Sequence, residues 1–158
     1  VSFEEAEAFA RWAQKRLPTA VEWEKAARGP NGQVFPWGNQ ASDTAANVPR
    51  RTDSESQLAP VRSYPQGASP YGVLNLVGNV WEWIDTRALP DPEQFNRYKK
   101  TLRFLNPPPS LTEDCYQIRG GSFQFVTPLH AGLVSNFSVM PARAKLPDLG
   151  FRCARSVH

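Results

Sequence analysis

Apolar and polar positions near the start of the chain repeat with a helical period. Phe3, Ala6, Phe9, Ala10 and Ala13 recur at three- and four-residue spacing, with Glu4, Glu5, Glu7 and Arg11 on the other side. This predicts an amphipathic helix over residues 2–15. Ser2 is placed to cap it, Glu5 three residues later completes a capping box, and the acidic first turn suits the helix dipole. Leu17-Pro18 breaks the chain. Thr19-x-x-Glu22 is a second capping box, followed by Val21, Trp23, Ala26 and Ala27, and Gly29-Pro30 with Asn31-Gly32 ends that helix in a turn.

From residue 31 to about 72 no helical period survives, and Pro36, Pro49, Pro60, Pro65 and Pro70 punctuate the stretch. So long an irregular segment in a compact domain needs an ordering agent, either a bound ion or a functional surface. Residues 73–84, VLNLVGNVWEWI, are the most apolar and predict a buried strand, with a bend at Gly78-Asn79. Residues 87–114, Pro-rich and charged, read as a surface insertion. Gln117-Ile118-Arg119 leads as a strand into Gly120-Gly121-Ser122-Phe123, where backbone approaches closely. Residues 124–148 read as irregular, and residues 150–155 as a closing strand.

Composition sharpens this picture. A chain of 158 residues has room for one domain. Its 15 prolines exceed the roughly 5% of average usage, which excludes a coiled coil or helical bundle and predicts short elements in a loop-rich α+β domain. No run approaches the ~18 apolar residues of a membrane span, and VSFEEAEAF is acidic where a signal peptide is basic and then apolar. A membrane partner is therefore not expected. The net charge of +3 is mild, and the basic runs Pro49-Arg50-Arg51 and Arg97-Tyr98-Lys99-Lys100 are short. They read as solvated loops more readily than as a nucleic-acid surface. Two cysteines, Cys115 and Cys153, could pair but make no disulfide framework.

Four blocks in order carry a resemblance: Lys15-Arg16-Leu17-Pro18-Thr19 with Glu22-Trp23-Glu24; Phe35-Pro36-Trp37-Gly38-Asn39; Val77-Gly78-Asn79-Val80-Trp81-Glu82-Trp83; and Arg119-Gly120-Gly121-Ser122-Phe123 ending in Gly150-Phe151-Arg152-Cys153. Together they resemble the formylglycine-generating-enzyme (sulfatase-modifying factor) family, a variant of the C-type lectin fold. The resemblance spans nearly all of residues 1–155 and implies one domain over 1–158, lacking the strands with which the family domain usually begins. Either the chain is part of a longer polypeptide or another segment supplies those strands.

The family's catalyst is a cysteine pair that binds copper and oxidises a substrate cysteine. Copper(I) selects soft thiolates. At the two matching positions this chain has Phe125 and His130. Neither replaces a thiolate pair, so formylglycine formation and copper binding are not expected, and His130 reads as a loop histidine. Secreted members use the position of Cys153 for a disulfide, but the partner positions here are Ala10 and Ala27. That fits a reducing compartment, so a cytoplasmic location is expected.

The resemblance further implies a calcium scaffold, because calcium takes carboxylate, amide and backbone oxygens on sharply bent chain. Asn75 and Glu82 would give side-chain oxygens, and Gly78 and Val80 backbone carbonyls. A second site would use the Asn47 and Asp53 side chains with the Val48 and Glu55 carbonyls. Four of the five tryptophans lie in the family blocks and are expected in the core. Phe123, Phe125, His130, Asn136, Phe137 and Arg143 belong to the segment 123–148 that the family displays as its ligand-facing surface; the phenylalanines there are either core plugs or contacts.

These implications favour a non-catalytic domain that binds a protein or small-molecule ligand. Such domains occur in the family fused to bacterial Ser/Thr kinases or as binding proteins varied by diversity-generating retroelements, although the single asparagine in 123–148 fits the latter poorly. Two alternatives stand beside it. One is part of a non-haem iron sulfoxide synthase, whose helical domain with three histidines would lie outside these residues. The other is a regulatory paralogue of the formylglycine-generating enzyme.

Overall fold

The computed structural model describes residues 1–42, 44–49, 57–124 and 134–156, apart from the side chains of residues 94, 97, 98 and 101. Helix α1 covers Phe3–Trp12 and α2 covers Ala20–Arg28, and both capping boxes are formed as expected. Ser2 N donates to Glu5 Oε2 at 2.9 Å, and Thr19 N donates to Glu22 Oε2 at the same distance. Arg16 grips Glu22 with two nitrogens, each at 2.6 Å. That pair, with the backbone N–H of Thr19, pulls the Glu22 carboxyl down to about 2. Helix α1 ends two residues before Gln14, whose φ of 55° leaves the helical region. Its inner face is Phe3, Ala6 and Ala10; Phe9 and Trp12 stand outside, half and mostly exposed.

Four strands follow: β1 (Trp81–Arg87), β2 (Cys115–Arg119), β3 (Phe137–Pro141) and β4 (Leu149–Phe151), ordered β3-β2-β1-β4 in one sheet. Between β1 and β2 lies a third helix, α3 (Pro92–Thr101). The β1–β2 and β2–β3 pairs are antiparallel, with Trp83 opposite Ile118 and Gln117 opposite Val139. Strand β4, however, pairs parallel to β1, with Glu82 opposite Gly150. Where the family resemblance implied short antiparallel strands, the sheet is mixed: residues 142–148 carry the chain from one sheet edge to the other, so β4 enters in the direction of β1.

Successive residues of β1 bury on opposite faces. Trp83 joins Phe3, Leu17, Ile118 and Leu149 in one cluster, and Ile84 joins Trp23, Leu76, Val77 and Val134 in another. Two buried faces explain why this segment reads as a continuous apolar run. The strand begins only at Trp81, because residues 75–79 form a turn with left-handed Asn75, Gly78 and Asn79. The closing strand is likewise shorter than expected; Ala154 instead bridges to Arg16.

Two further expectations are corrected. Residues 87–114 are not merely a surface insertion, since Phe95 and Leu102 bury their side chains in the first cluster and α3 carries them there. Nor is 124–148 irregular throughout, for β3 occupies its second half. In β3, Val139, Met140 and Pro141 are buried. Neither cysteine forms a disulfide: Cys115 is buried in β2, and Cys153 packs against the first cluster.

Candidate metal centre and ligand surface

The turn before β1 is held from three sides. Gly78 N donates to Gly120 O at 2.8 Å, Asn79 N donates to Asn47 O at 2.8 Å, and Phe123 N donates to Asn79 O at 3.0 Å. The Asn79 side chain closes a ring with the irregular stretch: its Oδ1 accepts from Asn47 Nδ2 (3.0 Å) and Ala59 N (2.8 Å), and its Nδ2 donates to Ala59 O (3.2 Å). Asparagine tolerates the left-handed region that positions 75 and 79 adopt. Gly78 is required for a second reason. A Cβ there would stand 2.3 Å from Asn47 O.

Glu82 is buried at the start of β1. Its Oε2 accepts from Trp23 Nε1 and Arg152 Nε, and its Oε1 accepts from Arg152 Nη2, each at 2.7 Å. Arg152 Nη2 also donates to the carbonyls of Leu74 (3.0 Å) and Asn75 (3.1 Å), clamping the turn to β4's end. Burial pulls the guanidinium's pKa down, but the charge and hydrogen bonds of Glu82 outweigh it and raise it above the ordinary arginine value.

The calcium ligands inferred from the resemblance can be tested on this geometry. Asn75 donates through Nδ2 to Val61 O at 2.8 Å, while its buried Oδ1 has no hydrogen-bond partner. A buried acceptor left in that state is what a cation would satisfy. Glu82 Oε1 accepts one of the two bonds its lone pairs allow. Asn75 Oδ1 thus offers the acceptor an ion would use, whereas both oxygens of Glu82 already accept from Arg152 or Trp23. Among the described residues no three His, Cys, Asp or Glu side chains converge on one point, so such a site would lean on neutral oxygens. Of the second site, Asp53 and Glu55 lie outside the described residues, and Asn47 Nδ2 is spent on Gln57 O (2.9 Å) and Asn79.

The ligand-facing residues divide. Phe125 and His130 lie outside the described residues. Phe123 is 5% exposed, so of the two roles left open for it, plug or contact, the core plug holds, with its backbone tied to the turn at Asn79. Arg143 is tethered to Glu113 at 2.8 Å. Asn136 and Phe137 are exposed. Beneath Phe137 lies Arg119, which the pattern of residues did not single out. Its guanidinium sits 5.5 Å from the Phe137 ring centre and 5.8 Å from that of Trp23. Arg119 closes β2 and Arg152 follows β4, each within a quoted block, and that placement was the available signal. Nearby, Ser122 donates to Asp148 Oδ2 at 2.5 Å, both side chains being buried.

The sequence profile of the sulfatase-modifying factor enzyme 1-like domain matches residues 1–157. The chain belongs to this family. It is 34% identical over 172 aligned positions to a formylglycine-generating enzyme of Streptomyces coelicolor, covering 98% of this chain and 51% of that protein. It is 40% identical over 133 positions to a hercynine oxygenase of Mycobacterium tuberculosis, covering 78% of this chain and 28% of the relative. The chain thus spans about half of the first of these curated relatives and under a third of the second. Among solved structures, PvdO from Pseudomonas aeruginosa superposes with a TM-score of 0.71 over 99% of this chain and 60% of that one, at 23% identity, a likeness of fold. The family fold is therefore the α+β, C-type lectin-like one. Among the described residues no helix is long and apolar enough to cross a membrane.

Proposed function

We propose that this family domain is a non-catalytic binding module, calcium-stabilised at the turn before β1, that presents the surface around Asn136 and Phe137 to a protein or small-molecule ligand. One observation carries the reading. The chain's two cysteines, Cys115 in β2 and Cys153 two residues past β4, do not stand at the family's copper positions. Copper(I) selects soft thiolates. With Phe125 and His130 at the matching positions, the thiolate chemistry has no ligands. Calcium would be held by Asn75, Glu82 and the carbonyls of Gly78 and Val80. It would coordinate the unpartnered Asn75 oxygen and fix the turn that Asn79 joins to Phe123. The lost disulfide positions support a cytoplasmic location.

A second reading is favoured by the likeness to hercynine oxygenase. In it, the domain is one part of an iron-dependent oxidoreductase whose metal ligands lie elsewhere in a longer polypeptide. Metal analysis of the full-length parent, together with melting curves before and after chelation, separates the two. The binding-module reading predicts no stoichiometric iron and a lower melting temperature in EGTA that added calcium restores, because an ion bound only by the folded state stabilises it. One iron per chain supports the oxidoreductase, and an unchanged melting curve in EGTA removes the calcium site.

A further inference from the structure

Arg119 closes β2 with its side chain only 6% exposed, and its bonding is one-sided. An arginine has five N–H donors in a planar fork. Nη1 is used: it donates to Val134 O at 3.0 Å and to Glu24 Oε2 at 3.3 Å. Among the described residues Nη2 meets the side-chain oxygen of Gln117 at 3.5 Å, at the limit of a hydrogen bond, and the buried Nε has no partner. The edge formed by Nε and Nη2 is the one that grips a two-oxygen anion with parallel hydrogen bonds.

The surroundings suit that use. Trp23 and Phe137 lie against the guanidinium at 5.8 and 5.5 Å, which fixes its position without consuming donors. Glu24, the nearby carboxylate, is shared with Arg28, whose Nη1 donates to it at 3.0 Å. Two cations around one carboxylate leave a net positive charge. Burial pulls the Arg119 pKa down against the opposing pull of Glu24, consistent with a cation short of acceptors. Phe137, whose ring packs against this buried cation, is itself 45% exposed.

We infer that the Nε–Nη2 edge of Arg119, beneath Phe137, is the anchor for an oxyanion, a carboxylate or phosphate group of the ligand. The inference rests on the binding-module reading and gives its ligand a chemical class. The Nε–H of arginine is directly visible in proton–nitrogen NMR spectra, and Arg119→Lys, which keeps the charge and removes the fork, identifies the resonance by its loss. Sodium glutamate and inorganic phosphate are titrated into the intact chain, with glutamine and sodium chloride as controls at matched ionic strength.

A saturable shift of the Arg119 resonance with glutamate or phosphate, absent with glutamine and chloride, is expected, and the stronger of the two anions identifies the source. In Arg119→Lys, calorimetric affinity for that anion should fall at least tenfold while the melting temperature holds within a few degrees. A flat titration with both anions overturns the inference, as does an equal response to chloride, which would mark an adventitious ion only. Either outcome removes the anchor alone. The binding-module reading stands or falls separately, on the iron and chelation results.

Discussion

Glu82→Ala should be among the most damaging substitutions in the chain, lowering stability by about 3–5 kcal/mol, the usual cost of breaking a buried ion pair. Among the described residues the change leaves Arg152, between β4 and the turn, with the Leu74 and Asn75 carbonyls, and takes the acceptor from Trp23 Nε1. For a domain of this size, that corresponds to a fall in melting temperature on the order of 10 °C. Urea unfolding checks it, with the Glu82→Leu/Arg152→Met pair as companion. The double change removes both charges, so it should be less damaging than Glu82→Ala alone. If calcium shares Glu82, the single variant should also lose its response to EGTA. A double variant worse than the single one would mean that Arg152 is stabilised chiefly by groups other than Glu82.

Gly78→Ala should be comparably severe for a different reason. Its φ is +74°, and the added Cβ would meet backbone, Asn47 O at 2.3 Å and Asn47 C at 2.8 Å, where no side chain can swing aside. Gly72 provides the control. It has the same φ of +74° with nothing within 4 Å of a built Cβ. Gly72→Ala therefore reports the left-handed strain alone, about 1–2 kcal/mol, and Gly78→Ala should exceed it by at least about 2 kcal/mol, a typical cost of overpacking. Equal losses at the two positions would show that the turn yields, and that the Asn47–Gly78 junction does not fix it.

Local signals made both helices legible, because a capping box is a short-range device and Ser2/Glu5 and Thr19/Glu22 state it within four residues. The apolar run at 81–84 also announced a buried strand. Long-range pairing was harder to read. The parallel docking of β4 on β1 depends on where residues 142–148 carry the chain, and no local pattern records that path. Helix α3 was hidden because prolines, Pro90 before it, Pro92 at its start and Pro107 to Pro109 after, dominate the composition, while the buried contacts there include Phe95 within it and Leu102 just past its end. At the candidate site, Asn75 and Glu82 were nameable from the block that carries them. Their partners Trp23 and Arg152 were not, because a bond between residues 59 or 70 positions apart leaves no trace in spacing. Phe123 shows the converse: its place in a displayed segment suggested contact, and only packing reveals it as a plug.

The central claim concerns what stands at the family's copper position. It is tested most directly by loading the purified chain with copper(I) under reducing conditions, removing the excess, and incubating it with oxygen and a cysteine-containing substrate peptide. Mass spectrometry then follows the cysteine-to-aldehyde conversion while metal analysis counts retained copper. The account predicts no stoichiometric copper and an unchanged peptide; one tightly held copper per chain with formylglycine in the product would contradict it.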